Sequence, residues 1–426
     1  MGKIKGGTTN KVFFFVMLLI YLVWSIIPVV HDTIDRAFMF LLVSLLLPII
    51  FSNNIMLKCI TNRERKTLIL MILFVIWQSI MKIIGESNSA WGTHSEVMLF
   101  FFYYLIYLYI KYKFTIDQKI MLVRLVMLII ILGILYYIYM NATGQLLVTY
   151  NPDVYEVDLD VIPTIFKTEL LFVACTCTMC FFITSFLKEK IFYLLVISGS
   201  LFIIYVIGNN ATATILYILF LLTAIYLNMR KIKYSVKPAN ISTLLVTIFF
   251  TAVALIIFGD TLILMIANLT EGINPRISHK LMTIYLFAHN STAIVIDAGN
   301  SFVTRLFLMQ GSLMTWLDNP LNLLVGVGRD NGFFEESGIG KHSEFIDVFA
   351  MYGIIGATFM IAIFSNLYCV IKSKLKPLIA SYATFIFFII VLCGIFNNFI
   401  YPQVGAILFC FCFVYFDILS TENKIQ

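Results

Sequence analysis

Apolar runs of about twenty residues recur along the whole chain, separated by short polar links, and this pattern leaves the sequence few ways to fold. A helix that long spans the ~30 Å hydrocarbon core of a bilayer. The runs are 12–30, 37–51, 67–84, 97–110, 120–140, 165–187, 191–207, 212–228, 241–267, 345–367, 378–396 and 404–419, which predicts an all-α polytopic membrane protein of twelve transmembrane helices. The runs 37–51 and 97–110 are short for the core, so flanking residues must extend them or the bilayer must thin locally. Of the 426 residues 61% are hydrophobic and 12% charged, about half the charged fraction of a soluble domain. Soluble enzyme folds are thereby excluded. The first run follows Lys3, Lys5 and Lys11 as a signal peptide would. It lacks a small-residue cleavage site and has eleven more runs behind it, so it reads as a retained helix.

The basic residues orient the chain. With the N-terminus cytoplasmic, 20 of the 29 Lys and Arg residues fall at the two termini or in cytoplasmic links, among them Arg63, Lys111, Lys188, Arg230 and Lys374. The other face holds Arg36, Arg276, Lys280, Arg305, Arg329 and Lys341, and five of these six share one segment, 268–344. Both termini are therefore expected inside. Spans 1–9 occupy 1–267, a large external loop 268–344, and spans 10–12 the segment 345–426. The net charge of +6 reflects this topology and gives no reason to expect nucleic acid. Cys175, Cys177, Cys180, Cys393, Cys410 and Cys412 lie inside apolar runs and read as small hydrophobes, not as a disulfide framework. The external link 141–164 carries four acids and no base, and reads as a solvated loop.

The long loop has internal structure. Phe302, Leu306, Met309, Leu313 and Trp316 recur at helical spacing and put Arg305, Ser312 and Thr315 on other faces, which predicts an amphipathic helix against the membrane surface or the bundle. Asn319-Pro320 ends it. Gly326-Val327-Gly328 follows, open to two readings, an ordinary turn or a phosphate cradle. Then Lys341-His342-Ser343-Glu344 leads into the tenth span, where Gly353, Gly356 and Ala357 would let another helix approach closely. His342, at a helix start, is an interfacial histidine or a neutral proton acceptor beside a bound anion. Arg305 either snorkels to headgroups or binds that anion. Inside the spans, Lys82 and Arg124 are expected to snorkel from their helix ends, and Lys167 and Glu169 stand two apart at an external helix start. The histidines show no ligand spacing, so no metal is expected.

The pieces Gly326-Val327-Gly328, His342-Ser343 and Gly353-Ile354-Ile355-Gly356 together resemble the signature of the O-antigen polymerase and ligase family of bacterial membrane glycosyltransferases. Arg305 with Trp316 resembles that family's arginine-bearing loop helix, and twelve spans with both termini inside is its usual layout. Family members often carry a serine-arginine pair at an external turn where this chain reads Gly208-Asn209-Asn210-Ala211-Thr212. Another base must then serve, with Arg276, Lys167 and Arg329 available.

The resemblance implies transfer of saccharides from polyprenyl-diphosphate carriers without a nucleotide sugar, metal or other cofactor. Arginines would neutralise the leaving diphosphate, and a base would take the proton of the attacking hydroxyl. The expected catalytic residue is His342, with Arg305, Arg329 and Arg276 on the diphosphate and Lys167, Glu344 and Asp347 in support. Expected partners are a polyprenyl-diphosphate-linked oligosaccharide, membrane lipid, a flippase and a chain-length regulator; the expected location is the bacterial cytoplasmic membrane. A ligase, a flippase for lipid-linked oligosaccharides and a scaffold protein are the competing readings. Internal repeats and mid-bilayer charges, which mark transporters, are not evident.

Overall fold

The computed structural model describes residues 6–27, 30, 33–34, 36–51, 59–85, 92–143, 167–184, 186–207, 211–233, 264, 268, 282, 301–328, 339, 343–397 and 399–422. Among these there are helices and no strands. In chain order they are α1 (Gly6–Ile26), α2 (Arg36–Phe51), α3 (Asn62–Ile84), α4 (Gly92–Lys113), α5 (Ile116–Ala142), α6 (Lys167–Ile183) and α7 (Leu187–Phe202), which continues as a π-helical turn, Ile203–Ile207. Then come α8 (Ala211–Lys233), α9 (Ser301–Leu317), α10 (Pro320–Val325), α11 (Glu344–Lys372), α12 (Pro377–Phe396) and α13 (Pro402–Gly405), which runs through a π-helical stretch, Ala406–Cys412, into α14 (Phe413–Glu422). These helices overlie eleven of the twelve apolar runs; apart from Leu264, the run 241–267 lies outside the described residues, as does 144–166 of the acidic link. Among the described residues six helical segments are long and apolar enough to cross a membrane: Asn62–Ile84, Ile116–Met140, Thr212–Met229, Glu344–Lys372, Pro377–Phe396 and Pro402–Thr421. The short run 97–110 sits in a 22-residue helix, because polar flanks such as Lys111 and Lys113 continue the helix past the apolar stretch.

Packing separates central from peripheral helices. Phe100–Tyr104 and Ile106–Ile110 of α4, Leu171–Cys180 of α6 and Pro402–Val414 are buried on every side. A helix that is apolar all round belongs in an interior. The peripheral helices instead expose apolar stripes at helical spacing: Ile69, Ile72, Ile76, Ile80 and Ile83 on α3, Leu128, Leu132 and Leu135 on α5, Ile215, Ile218 and Leu222 on α8. Water would not tolerate so much contiguous apolar surface, whereas lipid solvates it. The chain is an integral membrane protein. The six cysteines of the apolar runs are all buried and free.

The predicted loop helix exists as α9, but its faces are partly exchanged. Leu313 is 41% and Met314 59% exposed, while Ser312 is fully buried. Trp316 does face inward, its ring 4.9 Å from that of Phe349. Ser312 is turned toward α11 by a bond to a carboxylate there, and this polar contact, invisible to a hydropathy pattern, fixes the rotation of α9. Asn319 then caps α10 by accepting from the Asn322 amide at 2.8 Å, and Asn322 donates back to the Thr315 carbonyl at 3.3 Å. The two helices form a tight corner on α11.

Candidate functional site

Helix α11 is broken. Gly353 has φ 62° and ψ −167° inside it, a conformation that L residues rarely adopt. The break releases the carbonyls of the preceding turn, and each finds an outside donor. Val327 donates to Ala350 at 3.0 Å and Gly328 to Met351 at 2.9 Å; the Trp77 indole of α3 donates to Tyr352 at 3.0 Å. The glycine-rich turn is thus docked on the broken helix, with Gly326 and Gly328 both at positive φ. Side chains have no room in this dock: a Cβ on Gly353 would strike the Leu324 carbonyl, and one on Gly328 would strike that of Met81. The absence of a side chain at Gly353 thus lets the backbone of α10 approach closely, as expected of a small residue at this position. Gly353 also ends one helical segment and starts another, and a methyl added at Gly356 would strike the Tyr352 side chain and lie 3.5 Å from Trp77 of α3. The amides of Val327 and Gly328 are already used, so the turn reading holds at those two residues.

The first turn of α11 is held from three sides. The Ser343 hydroxyl accepts from the Ile346 amide at 3.3 Å, an N-cap, and donates to the Gly394 carbonyl of α12 at 3.3 Å. Asp347, only 3% exposed, accepts from the Ser343 amide at 3.0 Å and from the Ser312 hydroxyl of α9 at 2.6 Å. Glu344 accepts from the amides of Phe399 and Ile400 at 3.2 and 3.3 Å, closing the turn between α12 and α13. Both carboxylates at the helix start, expected to support chemistry, are engaged in positioning the segment that follows His342.

The opposite end of the bundle gathers the links rich in Lys and Arg. Glu64, buried in the first turn of α3, pairs with Lys111 and accepts from the Tyr112 hydroxyl at 2.5 Å and the Thr61 amide at 2.8 Å. Lys119 pairs with Asp417 of α14 at 2.6 Å and donates to the Lys111 carbonyl at 3.0 Å. In the turn between α11 and α12, partial burial and then the adjacent Lys111 ammonium hold the Lys374 amine below the usual lysine range. Pattern reading left Glu64 without a role and counted Lys111 and Lys119 as loop charges, because their partners are remote in sequence or, as with Asp417, in another span.

His342, Arg329 and Arg276 lie outside the described residues. Arg305 and Lys167 are placed by their backbone alone, Arg305 near the start of α9 and Lys167 as the first residue of α6. Lys82 departs from expectation: its ammonium nitrogen is buried rather than snorkelled to a surface, on the last turn of α3 that meets the glycine turn. Gln78, one turn earlier, is 3% exposed. Arg124 is exposed, as a snorkelling side chain would be. Sequence reasoning also missed that Glu169 lines a cleft with Ser25, Tyr137 and Gln403; its place inside an apolar helix was the only signal. Compared with models of known protein families and with curated proteins, the chain matches none.

Proposed function

We propose that this chain is a membrane glycosyltransferase that polymerises polyprenyl-diphosphate-linked repeat units of an O-antigen, capsule or exopolysaccharide at the outer face of a bacterial cytoplasmic membrane. One observation supports the reading most. The separate pieces that resemble the family signature meet in one folded unit: Val327 and Gly328 bond to the carbonyls freed by Gly353, and Ser343 caps the same helix. Scattered glycines of no shared role would have no reason to converge. In this reading the twelve apolar runs are spans, both termini are cytoplasmic, and the segment 268–344 is external.

The chemistry follows from charge. The bond between the anomeric carbon and the diphosphate breaks with its electron pair passing to phosphate, and Arg305, Arg329 and Arg276 neutralise that charge. The acceptor hydroxyl attacks the opposite face of the carbon, giving inversion, and its proton passes to His342, directly before the Ser343 cap. The docked turn supports this division of labour: with two of its amides bonded to α11, the diphosphate must rely on side-chain bases. No cofactor enters the reaction.

A flippase is the second reading, favoured by the break in α11, since discontinuous helices mark many transporters. Purified protein in lipid, supplied with defined lipid-linked repeat units and no nucleotide, separates the two. Chain elongation is the expected result; translocation without elongation would establish the flippase, and transfer only to a different acceptor would establish a ligase.

A further inference from the structure

A small cleft of about 20 Å³ lies between α1, α5, α6 and the α13 region, lined by Ser25, Ile26, Tyr137, Glu169 and Gln403 among apolar neighbours such as Ile130 and Val173. Glu169 is 8% exposed. Its carboxylate hydrogen-bonds the amides of Thr168 and of Glu169 itself, in the first turn of α6, and no described side chain pairs with it. A carboxylate has about four lone-pair sites, so these amides leave acceptor capacity toward the cleft.

The other groups around the cleft are also oxygens. Ser25 contributes a hydroxyl that is hydrogen-bonded to Tyr103, Tyr137 another, and Gln403 a side-chain amide. The Ile26 carbonyl oxygen lies 3.5 Å from where a methyl on Gly133 would sit, and Ile26 is the last residue of α1, the end of a helix that carries partial negative charge. Oxygen donors suit hard cations, whereas nitrogen and sulfur donors suit transition metals. One carboxylate balances one positive charge; a divalent ion would leave net charge among apolar walls, at a large desolvation cost. Those walls also strengthen the attraction to a monovalent ion.

We propose that this cleft is a binding site for a small monovalent cation, held by Glu169, Gln403, Ser25 and the Ile26 carbonyl. The ion joins α1, α6 and α13, three helices that meet here without any described ion pair of their own. The site does not depend on the glycosyl-transfer reading.

Sodium and dicyclohexylcarbodiimide test it on the full-length protein in detergent. The carbodiimide adds the O–H of a protonated carboxyl across its C=N bond, and acyl transfer to nitrogen leaves a stable acylurea that mass spectrometry locates. A bound cation displaces the proton and blocks the reaction. Among the described residues, Tyr137 of α5 lines the same cleft and Cys393 of α12 interacts with Glu169, so labelling is compared at one fixed pH. The expected result is a Glu169 adduct in choline chloride that forms about tenfold more slowly once sodium reaches ten times its dissociation constant. Glu169→Gln should give no adduct at this position. Gln403→Ala should raise the half-protecting sodium concentration by roughly 10-fold or more, and Ser25→Ala serves if that variant does not fold. Equal rates in sodium and choline would overturn the proposal, as would a Glu169 that does not react in choline.

Discussion

The two ends of the bundle handle buried polarity in opposite ways. At one end Glu64, Lys111, Lys119 and Asp417 neutralise one another, and Tyr112 and Thr61 complete the hydrogen bonding around Glu64. At the other, Asp347 and Glu344 are satisfied by hydroxyl and amide donors, Glu169 borders a cleft, and backbone freed by a broken helix is bonded to a glycine turn. The first arrangement is closed, its charges balanced within the fold. The second keeps anionic groups and irregular backbone inside a membrane protein, which persists only where the surrounding structure or a ligand compensates it. On the proposed reading, charge content does not by itself locate the reacting end of this molecule, since the more strongly charged cluster is the one balanced within the fold.

The largest effect should come from the glycine dock. Gly353→Ala forces a Cβ onto the Leu324 carbonyl at a positive φ and should destabilise the protein by at least about 3 kcal/mol. The readout is loss of monodisperse protein on size exclusion, and a variant as stable as wild type would show that α11 is not broken. Next is the closed end. Lys111→Met leaves Glu64 buried without its cation and should lower stability by about 3–5 kcal/mol, while Lys111→Met with Glu64→Gln should recover most of that loss. Thermal unfolding of the two variants checks it; no recovery in the double variant would mean the pair does more than balance charge. Smaller still, Ser312→Ala removes a hydrogen bond to the Asp347 carboxylate and should lower stability by about 1.5–3 kcal/mol. A neutral result would free α9 from the rotation described for it.

Much of the helical layout was legible because a span must be long and apolar, and hydropathy reports that directly. Run ends were less legible: Asn62–Lys66 and Lys111–Lys113 are polar yet helical, since helix propensity and capping outlast the apolar stretch. The break at Gly353 was not legible, because a glycine in an apolar helix serves close packing or a break equally well; its positive φ makes the break, and the neighbouring Leu324 carbonyl shows that it serves close packing too. The fate of Lys82 turned likewise on packing around α3. The ion pairs escaped because Lys119 and Asp417 lie 298 residues apart. At the start of α11, Ser343, Glu344 and Asp347 all hold the helix in place, a role the pattern did not disclose because their partners come from α9, α12 and the link to α13.

The most direct test sets the two ends against each other in one assay. Reconstituted protein with lipid-linked repeat units would be measured for chain elongation in two variants: His342→Gln, which keeps a hydrogen-bonding side chain but cannot take up the proton, and the paired Lys111→Met with Glu64→Gln. With the chemistry at the glycine-turn end, His342→Gln should slow elongation by ~10²–10⁴-fold with donor binding retained, and the paired variant should stay within a few-fold of wild type. Wild-type elongation by His342→Gln, with elongation abolished in a folded paired variant, would contradict the account and move the reaction to the opposite end of the bundle.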